Sequence, residues 1–115
     1  MNNSEKLIVT GNRKLLGDVK ISGAKNSALP LMTVSLLIDN GFQLKNVPDL
    51  LDTKIMMQLI SELGVKINIA QNSINFFGKP IEIQASENLV NKMRASILIL
   101  APLLQSQKRA LVPLP

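Results

Sequence analysis

The sequence predicts an α/β protein, on three observations. Short runs rich in Val and Ile alternate with longer apolar stretches that carry helical periodicity. Gly, Pro, Asn and Asp stand between these runs and separate the elements. A weak internal echo is also present. Val19-Lys20-Ile21, a helix and then Gln43-Leu44-Lys45-Asn46-Val47-Pro48 resemble Ile81-Glu82-Ile83, a helix and then Ala110-Leu111-Val112-Pro113. The echo suggests a βαβ unit used twice, the second copy cut short.

The elements follow in order. Lys6–Thr10 reads as a first strand and Asp18–Ser22 as a second, with Gly11-Asn12-Arg13 as the turn between them. A helix is expected from about Ala28 to Ile38. Pro30 is tolerated only in its first turn, which sets the start near Ser27. Asp39-Asn40-Gly41 ends this helix, and Phe42–Val47 forms a third strand. Asp52 is the expected N-cap of a second helix, Thr53–Leu63, with Gly64 just past its end. Ile55, Met56, Leu59, Ile60 and Leu63 make its core stripe.

Three short strands are expected next, at Val65–Ala70, Ile74–Phe77 and Ile81–Gln84. Asn72-Ser73 and Gly78-Lys79-Pro80 supply the turns. Ser86 can cap a third helix over Asn88–Leu104, whose stripe is Leu89, Met93, Ile97, Leu100 and Leu104. Pro102 should kink or fray its last turn. Arg109–Leu114 closes the chain as a strand.

Composition narrows the functional classes. The chain has 115 residues, 46% of them hydrophobic and 18% charged, which suits one globular domain rather than a disordered segment. It holds no Cys and no His, so disulfides, thiol catalysis and thiolate zinc sites are excluded within it. No carboxylate pair stands at a spacing that suggests catalysis or a metal, and no cofactor is expected. No apolar run reaches the roughly 18 residues of a membrane helix, and the N-terminus lacks a signal-peptide core, so the cytoplasm is the expected compartment. The net charge of +5 raises nucleic acid as a partner. Scattered basic residues, no Trp or Tyr and only three Phe argue against it. The expectation is therefore no nucleic acid and no membrane.

The richest segment is Gly23-Ala24-Lys25-Asn26-Ser27, a turn between a strand and a helix start. A helix N-terminus presents unpaired N–H groups and partial positive charge, so this turn suits a small anion, with Lys25 adding a point charge. Spacing alone leaves two readings of Lys25 open, an anion ligand and a solvated loop lysine. Asn26 alone reads as a cap or turn residue. The glycines of a Walker-type phosphate loop and the dinucleotide fingerprint are both absent. Arg94 stands among apolar positions Val90, Leu98 and Ala101. There it must snorkel, pair with a carboxylate or meet a ligand anion. Asp49, Asp52 and Glu62 read as helix-start charges and solvated surface.

These motifs together resemble the enolpyruvyl transferases. The similarity runs through Lys6–Gly11, Leu16–Pro30, Leu44–Leu50, Leu63-Gly64-Val65 and Met93–Leu98, in order and over nearly the whole chain. Ser-Gly-Ala-Lys-Asn at Ser22–Asn26 followed by Met-Arg-Ala-Ser at Met93–Ser96 is its specific part. The resemblance implies βαβαββ units of an inside-out barrel, here incomplete. Residues 1–22 would be strands of a second domain, and 23–115 the truncated N-terminal part of the first.

The resemblance further implies a reaction. The 3'-hydroxyl of UDP-N-acetylglucosamine adds to C2 of phosphoenolpyruvate, and the tetrahedral intermediate expels phosphate, in the first committed step of peptidoglycan synthesis. Lys25 and Asn26 would bind phosphoenolpyruvate and Arg94 the UDP-sugar. The family's loop Cys or Asp would lie beyond Pro115, so no catalytic residue is assigned within the chain. The chain is expected to be an N-terminal fragment, inactive without the remainder of its own chain. Two alternatives are a 5-enolpyruvylshikimate-3-phosphate synthase-like enzyme, against which Asn26 argues, and a non-catalytic basic binding module.

Overall fold

A computed structural model describes residues 4–114. Helix α1 spans Lys25–Thr33 and runs on as a 3-10 turn over Val34–Leu36. Strand β1 (Phe42–Lys45), helix α2 (Leu51–Glu62) and strands β2 (Lys66–Ala70) and β3 (Ser73–Phe77) follow. Helix α3 (Glu87–Val90), a 3-10 segment over Arg94–Ile99 and helix α4 (Leu100–Gln107) complete the order.

The sheet order is β1-β3-β2, with β3 antiparallel to both neighbours. β1 and β2 therefore run parallel, joined by α2, with β3 inserted between them. This is a split βαβ arrangement. Together α1-β1-α2-β2-β3 is a βαβαββ unit without its first strand, in keeping with the expected fold class.

One face of the sheet is apolar. Phe42 pairs with Phe76 and Leu44 with Ile74, and the two Phe rings lie 6.0 Å apart. The opposite face is polar, where Gln43 Nε2 donates to Asn75 Oδ1 at 2.9 Å. Helices α1 and α2 cover the apolar face. Leu29 and Met32 of α1 join Met56, Leu59 and Ile60 of α2, and the last four are fully buried. Burying each such side chain contributes roughly 1.5–3 kcal/mol. The predicted α2 stripe is core at every position.

Helix α2 ends as its sequence indicates. Gly64 has φ +111°, its N–H donates to Ser61 O at 3.0 Å, and Val65 N–H donates to Ile60 O at 3.4 Å. This is the paired-bond stop that a left-handed glycine permits. Its start differs from expectation. The helix begins at Leu51, and Asp52 is not the cap. Thr53 Oγ1 instead accepts from Leu50 N–H at 3.1 Å and donates to Pro48 O at 2.8 Å.

Other expectations are corrected. Neither 6–10 nor 18–22 forms a strand, and all of 4–22 is exposed. Seven apolar side chains there, from Leu7 to Ile21, are 82% to 92% exposed. An isolated strand has no partner for its N–H and C=O groups, so strand propensity alone does not order it. This arm also accounts for a radius of gyration of 17.5 Å, against about 13 Å for a compact domain of this length.

Helix α1 starts at Lys25, so Pro30 lies inside the helix rather than in its first turn. Having no N–H, it leaves the exposed Asn26 carbonyl without a helical donor. The strands expected at 81–84 and 109–114 shrink to one parallel bridge, Gln84 with Leu111. The second βαβ unit is thus a single residue pair deep.

The long third helix breaks into α3, the 3-10 segment and α4. The break turns its apolar face. Leu89 and Met93 are buried as expected, but Ile97, Leu100 and Leu104 are partly exposed, and Ser96, Ile99 and Leu103 are buried instead. Each 3-10 residue advances about 20° more than an α-helical one, so the six residues Arg94–Ile99 rotate the stripe by about 120°. Pro102 falls in the first turn of α4, where its missing N–H costs little, and the helix continues to Gln107.

Candidate functional site

The Gly23-Ala24 turn enters α1 against the end of β1. Gly23 lies so close to the Asn46 carbonyl oxygen that a Cβ there would overlap it. The backbone is thereby pinned just ahead of Lys25. Ala24 is the N-cap, extended at φ −95° and ψ 133°, and its side chain caps nothing. Ala28 N–H donates to Ala24 O at 2.9 Å. The N–H groups of Lys25, Asn26 and Ser27 precede the first helical bond and have no partner within the helix. The first turn holds no acidic residue. A cleft of about 170 Å³ sits beside it, lined by Gly23, Ala24 and Ser27 on one side and Lys45 and Asn46 on the other.

Lys25 does not line this cleft. Its ammonium lies 3.0 Å from Asp52 Oδ2 in α2, with the two side chains 45% and 30% exposed. Lys25 is thus partly solvated and also ion-paired across the starts of two helices. Asn26 is exposed on the same first turn.

Arg94 opens the 3-10 segment, directly after the extended Met93. It is exposed, and among the described residues it has no ion-pair partner. Of the three residues singled out, Lys25 and Asn26 thus share one helix start, and Arg94 begins the segment that packs against that helix. Behind Arg94, Ser96 Oγ is buried and has no hydrogen-bond partner.

The pairing of Asp52 with Lys25 was missed because the position of Asp52 suits a cap. No local signal links it to Lys25, since the pair forms across two helices. Among the described residues no group of three His, Cys, Asp or Glu could hold a metal ion. No described helix is long and apolar enough to cross a membrane. The arrangement offers N–H donors, one cation already paired and one cation facing solvent. That chemistry suits anionic small molecules.

A three-stranded sheet with two helices packed on one face, in βαβαββ order without its first strand, defines the class of the protein as α/β. Its architecture matches the crystal structure of the enolpyruvyl transferase NikO from Streptomyces tendae, with a TM-score of 0.68 over 82% of this chain and 22% of that one, at 18% identity. Residues 9–114 match the EPSP synthase (3-phosphoshikimate 1-carboxyvinyltransferase) family, and the chain belongs to that family of enolpyruvyl transferases.

Relatives include the UDP-N-acetylglucosamine 1-carboxyvinyltransferases of Desulforapulum autotrophicum and Pseudothermotoga lettingae. The first is 42% identical over 112 residues, 96% of this chain and 27% of the relative. The second is 45% identical over 112 residues, 96% of this chain and 26% of the relative. The chain thus spans about a quarter of the length of the relatives it matches.

Proposed function

We propose that the chain is the first part of a cytoplasmic enzyme that transfers the enolpyruvyl group of phosphoenolpyruvate to the 3'-hydroxyl of UDP-N-acetylglucosamine. The single observation that carries this is the start of α1, where Lys25 and Asn26 stand on a turn of unpaired N–H groups. The names of relatives at 42% and 45% identity support the sugar nucleotide as acceptor. Lys25 and Asn26 contact the phosphate and carboxylate of phosphoenolpyruvate, and Arg94 contacts the UDP-sugar.

The hydroxyl adds to C2, charge builds on the phosphate as it leaves, and N–H and ammonium donors stabilise that charge. The exposed arm over residues 4–22, which forms no strand by itself, would add strands to a second domain, and residues 23–114 belong to the first. Residues 1–3 and 115 lie outside the described structure. Alone, the chain turns over no substrate and the product, destined for peptidoglycan synthesis, is not formed.

A chimaera tests this. This chain replaces the matching quarter of the Pseudothermotoga lettingae relative, and phosphate release is measured with phosphoenolpyruvate and UDP-N-acetylglucosamine. Turnover is expected in the chimaera and not in the chain alone. Lys25→Ala should lower it by about 10²–10³-fold, the usual loss for one donor to developing charge. Unchanged turnover would remove Lys25 from the site. Turnover with shikimate 3-phosphate in place of the sugar nucleotide would overturn the acceptor.

A further inference from the structure

Lys25 sits at the electrostatically wrong end of its helix. A cation at the first helical position faces the positive end of the dipole, where carboxylates are favoured. Nothing on α1 compensates, because its first turn has no acidic residue. Compensation comes from α2. Asp52 is the second residue of that helix, where the dipole favours a carboxylate, and its Oδ2 lies 3.0 Å from Lys25 Nζ.

Two other ion pairs are described, Lys54–Asp49 and Lys79–Asp39, and both are more exposed. The helices carrying Lys25 and Asp52 are packed together by the fully buried Met32, Met56, Leu59 and Ile60, which fixes the backbone at both ends of the pair. A lysine has among the largest rotamer freedom of any side chain, and ordering it on ligand binding is costly. Its ammonium has three donors. One held by Asp52 leaves two for a ligand oxygen.

We propose that Asp52 is a positioning residue, which holds the Lys25 ammonium in place so that its remaining donors meet the anionic substrate. The inference rests on the reading of Lys25 given above. Asp52 also subtracts positive charge from the site. Removing that charge should therefore not weaken attraction for phosphoenolpyruvate, while losing the orientation should slow the chemistry.

The test is steady-state kinetics of the chimaera with phosphoenolpyruvate varied. Asp52→Asn is expected to lower kcat about tenfold or more without raising KM, since loss of geometry alone carries penalties of that order. In a Lys25→Ala background, Asp52→Asn should have no further effect, because residues that act as a unit are not additive. A second measurement uses the chain itself. Hydrogen exchange of the Lys25 ammonium, followed by nitrogen-resolved NMR, should be slowed in the parent and fast in Asp52→Asn.

Unchanged kcat in Asp52→Asn while Lys25→Ala is impaired would overturn this inference alone. So would a raised KM at constant kcat, a further loss on top of Lys25→Ala, or ammonium exchange that ignores the substitution. If Lys25→Ala itself leaves kcat intact, the assignment of Lys25 falls and takes the role of Asp52 with it.

Discussion

Gly23→Ala should damage the start of α1 more than its exposed turn suggests. The added methyl would overlap the Asn46 carbonyl oxygen, with the Asn46 carbonyl carbon at 3.0 Å and Pro48 Cδ at 3.2 Å. None of these atoms is the free end of a flexible side chain. Asn46 is held at φ +57°, directly after Lys45, which pairs with Ser73. The helix start must therefore move away from the strand. Forced overpacking of this kind costs about 1–3 kcal/mol. For a domain of this size each 1 kcal/mol lowers Tm by roughly 4–8 °C.

Circular dichroism at low protein concentration measures the midpoint, and Gly11→Ala, where the new methyl meets nothing within 4 Å, is the control. In the chimaera a shift of about 1 Å at Lys25 should reduce turnover by about 10²-fold. A Gly23→Ala midpoint and rate equal to those of Gly11→Ala would refute the close-approach argument.

Two further outcomes follow from the same structure. Thr53→Val removes the hydroxyl that accepts from Leu50 N–H and donates to Pro48 O, so urea unfolding should show a loss of about 1–2 kcal/mol; a loss near zero would show that the hydroxyl is not the cap. The isolated chain exposes Leu7, Ile8, Val9, Leu15, Leu16, Val19 and Ile21 along one arm, and Ile97, Leu98 and Leu104 beside α4. It should self-associate with rising concentration in light scattering, whereas a monomer throughout would contradict that exposure.

The second helix shows what periodicity can determine. Its stripe from Ile55 to Leu63 and the glycine after it were legible because both depend on near neighbours, a 3.6-residue repeat and a left-handed stop. The same logic failed at its start. Asp52 and Thr53 are both good capping residues; in the structure Thr53 makes the capping bonds and Asp52 pairs with Lys25. Strands fared worse where their partners are lacking. Residues 18–22 and 81–84 carry Val and Ile at strand spacing, yet a strand exists only through a neighbour's hydrogen bonds.

By itself the sequence determined the α/β class, the core stripe of α2 and its glycine stop, since each is written in local spacing and turn chemistry. Tertiary structure alone decided three things. It set the face that the Arg94–Ile99 segment buries, because a 3-10 stretch rotates everything after it. It required glycine at position 23, because the Asn46 carbonyl arrives from a distant strand. It also gave Lys25 a carboxylate partner, because only packing α1 on α2 brings the Lys25 ammonium within 3.0 Å of the Asp52 carboxylate.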